Sequence, residues 1–70
     1  MEVKSPITGT VYKIVARCDG AGICEGDTIV ILESMKMEIP IEAPKSGKIT
    51  EIRVTEGMSI LEGDVVAVME

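Results

Sequence analysis

The chain repeats itself, and that constrains its fold more than any other feature. Ser5-Pro6-Ile7-Thr8-Gly9-Thr10-Val11 matches Ala43-Pro44-Lys45-Ser46-Gly47-Lys48-Ile49 at an offset of 38. Gly20 to Glu33 matches Gly57 to Glu70 at an offset of 37, setting Glu25-Gly26-Asp27 over Glu62-Gly63-Asp64. The first half therefore carries one extra residue, placed near Cys18 to Gly20. Self-similarity over the whole length implies one supersecondary unit used twice.

Each unit reads as strands and turns. Thr10 to Val15 and its counterpart Lys48 to Val54 are rich in β-formers and follow a Pro-x-x-Gly turn. Gly20-Ala21-Gly22 and Glu56-Gly57 interrupt the chain, and Gly26-Asp27 and Gly63-Asp64 turn it into Thr28 to Leu32 and Val65 to Met69. Both Gly26 and Gly63 are expected to supply φ > 0. No stretch has a helical period. The pattern predicts eight strands, centred near residues 3, 12, 23 and 30, then 40, 51, 59 and 67. Such a pattern indicates an all-β sandwich or barrel, in which two four-strand halves related by a pseudo-twofold interlock into a flattened barrel. Glu33 enters the central hairpin and its counterpart Glu70 is the last residue, so hairpin and chain ends should lie at opposite ends.

Seventy residues make a single domain, 1–70, near the lower size limit for one core. Ile, Val and Leu supply the apolar volume; Tyr12 is the only aromatic residue. That composition argues against a base-stacking surface. A formal net charge of −5 disfavours nucleic acid and anionic membranes and suits cationic protein surfaces. No apolar run reaches a membrane span and no signal-peptide pattern opens the chain, which makes the cytoplasm the expected location. Cys18 and Cys24 lack a histidine partner, so no metal site is expected; Cys24 reads as a small buried apolar side chain. There is no histidine, no nucleophile beside a base and no phosphate-cradling loop, so no catalytic residues are assigned.

The remaining singular stretch is Glu33-Ser34-Met35-Lys36-Met37-Glu38, between the β-branched runs Thr28 to Leu32 and Ile39 to Ile41. This is a hairpin with Met35-Lys36 as its central pair. Tight hairpin loops call for φ > 0 and normally use Asn-Gly, Asp-Gly or Gly-X. Neither Met nor Lys adopts that conformation cheaply, and strained non-glycine turns tend to mark functional sites. From the residues alone two readings stand. Lys36 is either a presented amine or an ordinary surface lysine, with the methionines capping the core.

Met35-Lys36-Met37 preceded by Glu33-Ser34 resembles the attachment sequence of biotinyl carrier domains. The Pro-x-x-Gly openings and the Gly-Asp entries to the fourth and eighth strands extend that resemblance over the whole chain. The resemblance implies a flattened eight-stranded barrel, a barrel-sandwich hybrid, with biotin carried as an amide on Lys36. Met35, Met37, Glu33 and Ser34 are then the flanking motif. It also implies the partners: a biotin protein ligase that loads Lys36, a biotin carboxylase, and a carboxyltransferase that takes the carboxyl group from carboxybiotin. The chain would be a non-catalytic carrier, monomeric alone and part of a larger complex of a biotin-dependent carboxylase, decarboxylase or transcarboxylase. Lipoyl domains share this fold but typically place an acidic residue directly before their lysine, where this chain has Met35. A lipoyl-type acyl carrier and an unmodified barrel used as an adaptor are the alternatives. Ser34 stands where many carriers have Ala, and the protruding thumb of some bacterial carriers has no room here. The Ala- and Pro-rich linker that often precedes such domains is also missing, so the chain is either a free-standing carrier or an excised domain.

Overall fold

A computed structural model describes residues 1–16 and 22–70. The extra residue of the first half and Cys18 fall outside them. The described residues form eight strands and no helix: β1 (Glu2–Lys4), β2 (Gly9–Ile14), β3 (Gly22–Ile23), β4 (Thr28–Ser34), β5 (Met37–Glu42), β6 (Gly47–Ile52), β7 (Ser59–Ile60) and β8 (Val65–Met69). All eight fall on the expected centres. The all-β class holds, as two four-stranded antiparallel sheets ordered β1-β8-β6-β3 and β5-β4-β2-β7. This arrangement is compatible with a flattened barrel-sandwich.

The two sheet orders are one order written twice. Applying the sequence offsets turns β1 into β5, β8 into β4, β6 into β2 and β3 into β7, and the registers follow residue by residue. Val3 opposite Ala67 becomes Ile41 opposite Val30, and Ile49 opposite Met69 becomes Val11 opposite Leu32. Each copy carries its bulges at matching places, between Val11 and Lys13 and between Ile49 and Glu51. The bulge puts an unpaired residue into the strand and shifts the inside-outside phase. Val11 and Ile14 therefore both face inward while Tyr12 and Lys13 are exposed, and Ile49, Thr50, Glu51 and Ile52 repeat this.

The core is built from the same equivalences: Ile29 with Val66, Val30 with Ala67, Leu32 with Met69 and Val11 with Ile49, all buried. The interior strands β4 and β8 read as nearly continuous β-branched runs because each is flanked by a strand on both sides and packed on the opposite sheet. The turns into them are also copies. The Asp27 carboxylate accepts the Cys24 N–H at 2.9 Å and that of Asp64 accepts the Leu61 N–H at 2.8 Å. Gly26 and Gly63 follow with φ of 89° and 90°, as the turn chemistry requires. Here one expectation is corrected: Cys24 is exposed. It sits at the first position of this side-chain-capped turn, whose geometry leaves its thiol outside the barrel.

Candidate functional site

Beyond a register shift between Thr28 and Val30, β4 and β5 pair continuously from Val30 opposite Ile41 to the last residues before the turn: Leu32 with Ile39, Glu33 with Glu38 and Ser34 with Met37. Met35 and Lys36 alone close the hairpin, with φ of 52° and 64°. Positive φ at both central positions defines a type I′ turn, whose twist matches the flanking strands. The ladder demands this turn even though the two side chains resist it. An L-residue in the left-handed region costs about 1–2 kcal/mol.

The tip is bare. Met35 is 91 % and Met37 60 % exposed, and Lys36, Glu33 and Glu38 are exposed beside them; Ser34 is partly buried. Among the described residues the single ion pair joins Arg53 to Glu51 at 3.2 Å, and Lys36 forms none. Glu33 and Glu38 stand directly opposite one another, a like-charge pairing that opposes hairpin closure. Backbone torsion, exposed thioethers and facing carboxylates all work against stability here. The hairpin holds because its lower rungs are buried core.

The root of the hairpin is gripped from the side. β2 starts so close to β4 that a Cβ at Gly9 would lie 2.8 Å from the Glu33 carbonyl oxygen, a contact only glycine avoids. Gly9 also pairs with Ile60 of β7, and the Glu62 N–H donates to Thr8 Oγ1 at 3.1 Å. The Ser5 hydroxyl, buried, donates to the Ile7 carbonyl and accepts the Ile7 N–H at 3.3 Å, fixing the Ser5–Thr8 connection. Sequence reasoning did not single out Gly9, Ser5 or Leu61 as parts of this end. For Gly9 the available signal was the invariant place of glycine in the two Pro-x-x-Gly openings.

These contacts also locate the chain ends. The turn Leu61–Asp64 lies beside Thr8 and Ser5, at the hairpin end, since the Ser5 N–H donates to the Asp64 carbonyl at 2.8 Å. From there β8 runs away through Val65 to Met69, which exchanges backbone hydrogen bonds with Met1 at 2.7 Å in each direction. Met1 and Glu70 therefore lie at the far end of a body 32 Å long, with Lys36 pointing away from them.

The site thus offers one primary amine, fully presented on a stiff ladder, with two soft apolar side chains beside it. Among the described residues no nucleophile pair adjoins it, and its nearest titratable neighbours in the hairpin are the carboxylates of Glu33 and Glu38. An amine so placed suits acylation by another protein, because no hydrogen bond or ion pair has to be broken to reach it.

The family model described as "Biotin-requiring enzyme" matches residues 1–69. Over 68 residues the chain is 40 % identical to "Biotinylated protein TB7.3 homolog" of Mycobacterium leprae, covering 97 % of this chain and 94 % of that one. It is 46 % identical over 65 residues to "Biotin-dependent acyl-coenzyme A carboxylase alpha3 subunit" of the same organism; that match takes in 93 % of this chain and 11 % of the subunit. The Kluyveromyces lactis urea carboxylase structure superposes with a TM-score of 0.93 at 37 % identity, covering all of this chain and 6 % of that one.

Proposed function

The chain belongs to the biotin-requiring enzyme family, and from that premise we propose that it is a biotin carboxyl carrier whose attachment point is Lys36. The observation that carries the assignment of the residue is the type I′ turn. The chain holds a strained non-glycine pair at the one place where an easier turn was available, and it keeps a lysine there. Four other lysines offer the same functional group, yet Lys45 and Lys48 sit in the second Pro-x-x-Gly segment, at the end of the molecule carrying Glu70.

Loading forms an amide. The Lys36 ammonium loses a proton, its nitrogen attacks the carboxyl carbon of biotinyl adenylate, AMP departs, and the second proton leaves as the amide settles. Deprotonation of the amine falls to the ligase. Once attached, biotin supplies a ureido nitrogen that accepts and releases a carboxyl group. The chain's own part is mechanical and electrostatic. The β4–β5 ladder keeps the attachment point off the barrel, and Met35 and Met37 give an apolar collar to whichever protein approaches. Tethering raises the effective concentration of the arm at a neighbouring active site to the order of mM. The relatives named for carboxylases are far longer than this chain, so its enzyme partners, a biotin carboxylase and a carboxyltransferase, belong to the same proposal.

Intact mass after co-expression with a biotin ligase, and separately with a lipoate ligase, tests the assignment. The expected result is a gain of one biotin less one water with the first and none with the second. Lys36→Ala and Lys36→Arg should abolish the gain while the fold stays intact. A label on Lys45 or Lys48 would refute the site.

A further inference from the structure

A residue that only builds the barrel should recur at its counterpart, so the internal twofold separates frame from function along the flanks of the molecule. Tyr12 is the bulged residue between Val11 and Lys13, and Thr50 holds the same place between Ile49 and Glu51. The Thr50 hydroxyl turns back onto its own sheet and donates to the Val68 carbonyl at 3.1 Å. Tyr12, the one aromatic residue of the chain, instead stands out from the barrel, 52 % exposed. The fold thus accepts a small hydroxyl side chain at this bulge, and a bulge is a device that re-aims a side chain.

The same asymmetry surrounds the ring. Val15 and Arg53 are equivalent, each donating its N–H at 2.9 Å, to the Ile29 and Val66 carbonyls respectively. Val15 is exposed, whereas Arg53 pairs with Glu51, the counterpart of Lys13. Met58, also exposed, answers to Ala21. It is fastened beside the bulge, because the Val11 N–H donates to the Met58 carbonyl and the Gly57 N–H to the Val11 carbonyl, both at 2.8 Å. Tyr12, Val15 and Met58 therefore share one flank, about 10 Å along the chain from Tyr12 to Val15 and about 5 Å across it. Residues 10–16 and 55–59 carry one cation, Lys13, and one anion, Glu56, whose carboxylate accepts the Ile14 N–H at 3.3 Å. This patch is neutral, so the net charge of −5 lies wholly outside it. Tyr and Met at a charge-depleted centre match the core of a protein–protein interface, and the small area suits a contact that forms and releases.

Val11 stands opposite Leu32, so the patch lies about 10 Å behind the turn that carries Lys36. A partner seated there leaves the hairpin free to move. Loading brings the amine itself to the ligase and has no use for such a hold; passing a carboxyl group between two active sites does. We propose that this flank moors the biotinylated chain on its biotin carboxylase, which seats Tyr12 in an apolar, uncharged recess. The proposal rests on the carrier reading above, and the other half of the barrel supplies both the variants and the control. Biotin-loaded chain is given to the biotin carboxylase of the same organism with ATP and bicarbonate, and ADP release is followed against carrier concentration. Tyr12→Thr, Val15→Arg and Met58→Ala install the residues that the counterpart positions already hold, and thermal melts verify that each variant is folded. Each should raise the KM for loaded carrier about five- to tenfold with kcat retained. The Tyr12→Thr effect should persist near 1 M salt, where the screening length is about 3 Å. Arg53→Ala on the opposite flank should change KM less than twofold, and all four variants should keep the KM of the biotin ligase within twofold. An unchanged KM with the carboxylase, an equal rise for Arg53→Ala or with the ligase, or a loss confined to kcat would overturn the mooring while leaving the carrier reading intact. Absence of ADP release with the loaded, unaltered chain would instead overturn the carrier reading.

Discussion

The strained turn makes a quantitative claim: the chain would be more stable without its lysine. Met35 and Lys36 both hold positive φ, which costs about 1–2 kcal/mol per L-residue, or about 2–4 kcal/mol for the pair. Lys36→Gly removes one share but gives the unfolded chain extra freedom worth about 0.4–1 kcal/mol. The net gain is about 0.5–1 kcal/mol. Adding Met35→Asn, which enters the left-handed region more readily, should bring the total to about 1–2 kcal/mol. Little is lost in exchange, since both side chains are exposed and Lys36 forms no ion pair among the described residues. For a domain of this size about 1 kcal/mol moves the melting temperature by about 4–8 °C. The double variant should therefore melt higher than the natural chain, with the urea midpoint raised and the m-value unchanged. A double variant that melts at or below the natural chain would show that the turn is not strained, and the main argument for Lys36 as a selected residue would fall with it.

The remaining expectations concern the frame. Gly26→Ala and Gly63→Ala should each lose about 1–2 kcal/mol in urea unfolding, and by similar amounts. A new Cβ meets nothing within 4 Å at either site, so the cost is backbone conformation alone. Gly9→Ala has a steric origin instead, 2.8 Å from the Glu33 carbonyl oxygen. It should lower stability by at least about 1 kcal/mol and shift the amide resonances of Glu33 and Ser34, which the other two glycine variants should leave in place. Ser5→Ala should cost about 1 kcal/mol by the same urea assay, because it leaves the Ile7 carbonyl and N–H without their hydroxyl partner. Its counterpart is already alanine, Ala43, so the smaller side chain fits. Glu38→Gln, which relieves the facing pair with Glu33, should gain a few tenths of a kcal/mol in low salt and nothing in high salt.

Much of this architecture was legible in advance because the repeat and the turn residues are local signals. Gly26-Asp27 and Gly63-Asp64 announce their turns by chemistry, and the offset between the halves predicts which strand stands in for which. The Met35-Lys36 tip was readable as an anomaly for the same reason. What escaped was decided by three-dimensional proximity. The exposure of Cys24 follows from a carboxylate three residues later capping its N–H, which composition cannot reveal. The bulges after Val11 and Ile49 break the two-residue alternation, so which face each side chain takes is not a matter of counting. Leu61 belongs to the hairpin end only because β7 lies against β2 and β2 against β4, a relation spread over fifty residues of chain.

Met1 and Met69 meet as Ile39 and Leu32 do at the foot of the hairpin, and Glu70 answers to Glu33. In effect the backbone is a ring with two equivalent seams, one left open and the other sewn shut by Ser34–Glu38. A ring can be reopened elsewhere. Joining Glu70 to Met1 through a second copy of that stitch should yield a carrier with an arm at each pole, able to serve two enzymes at once.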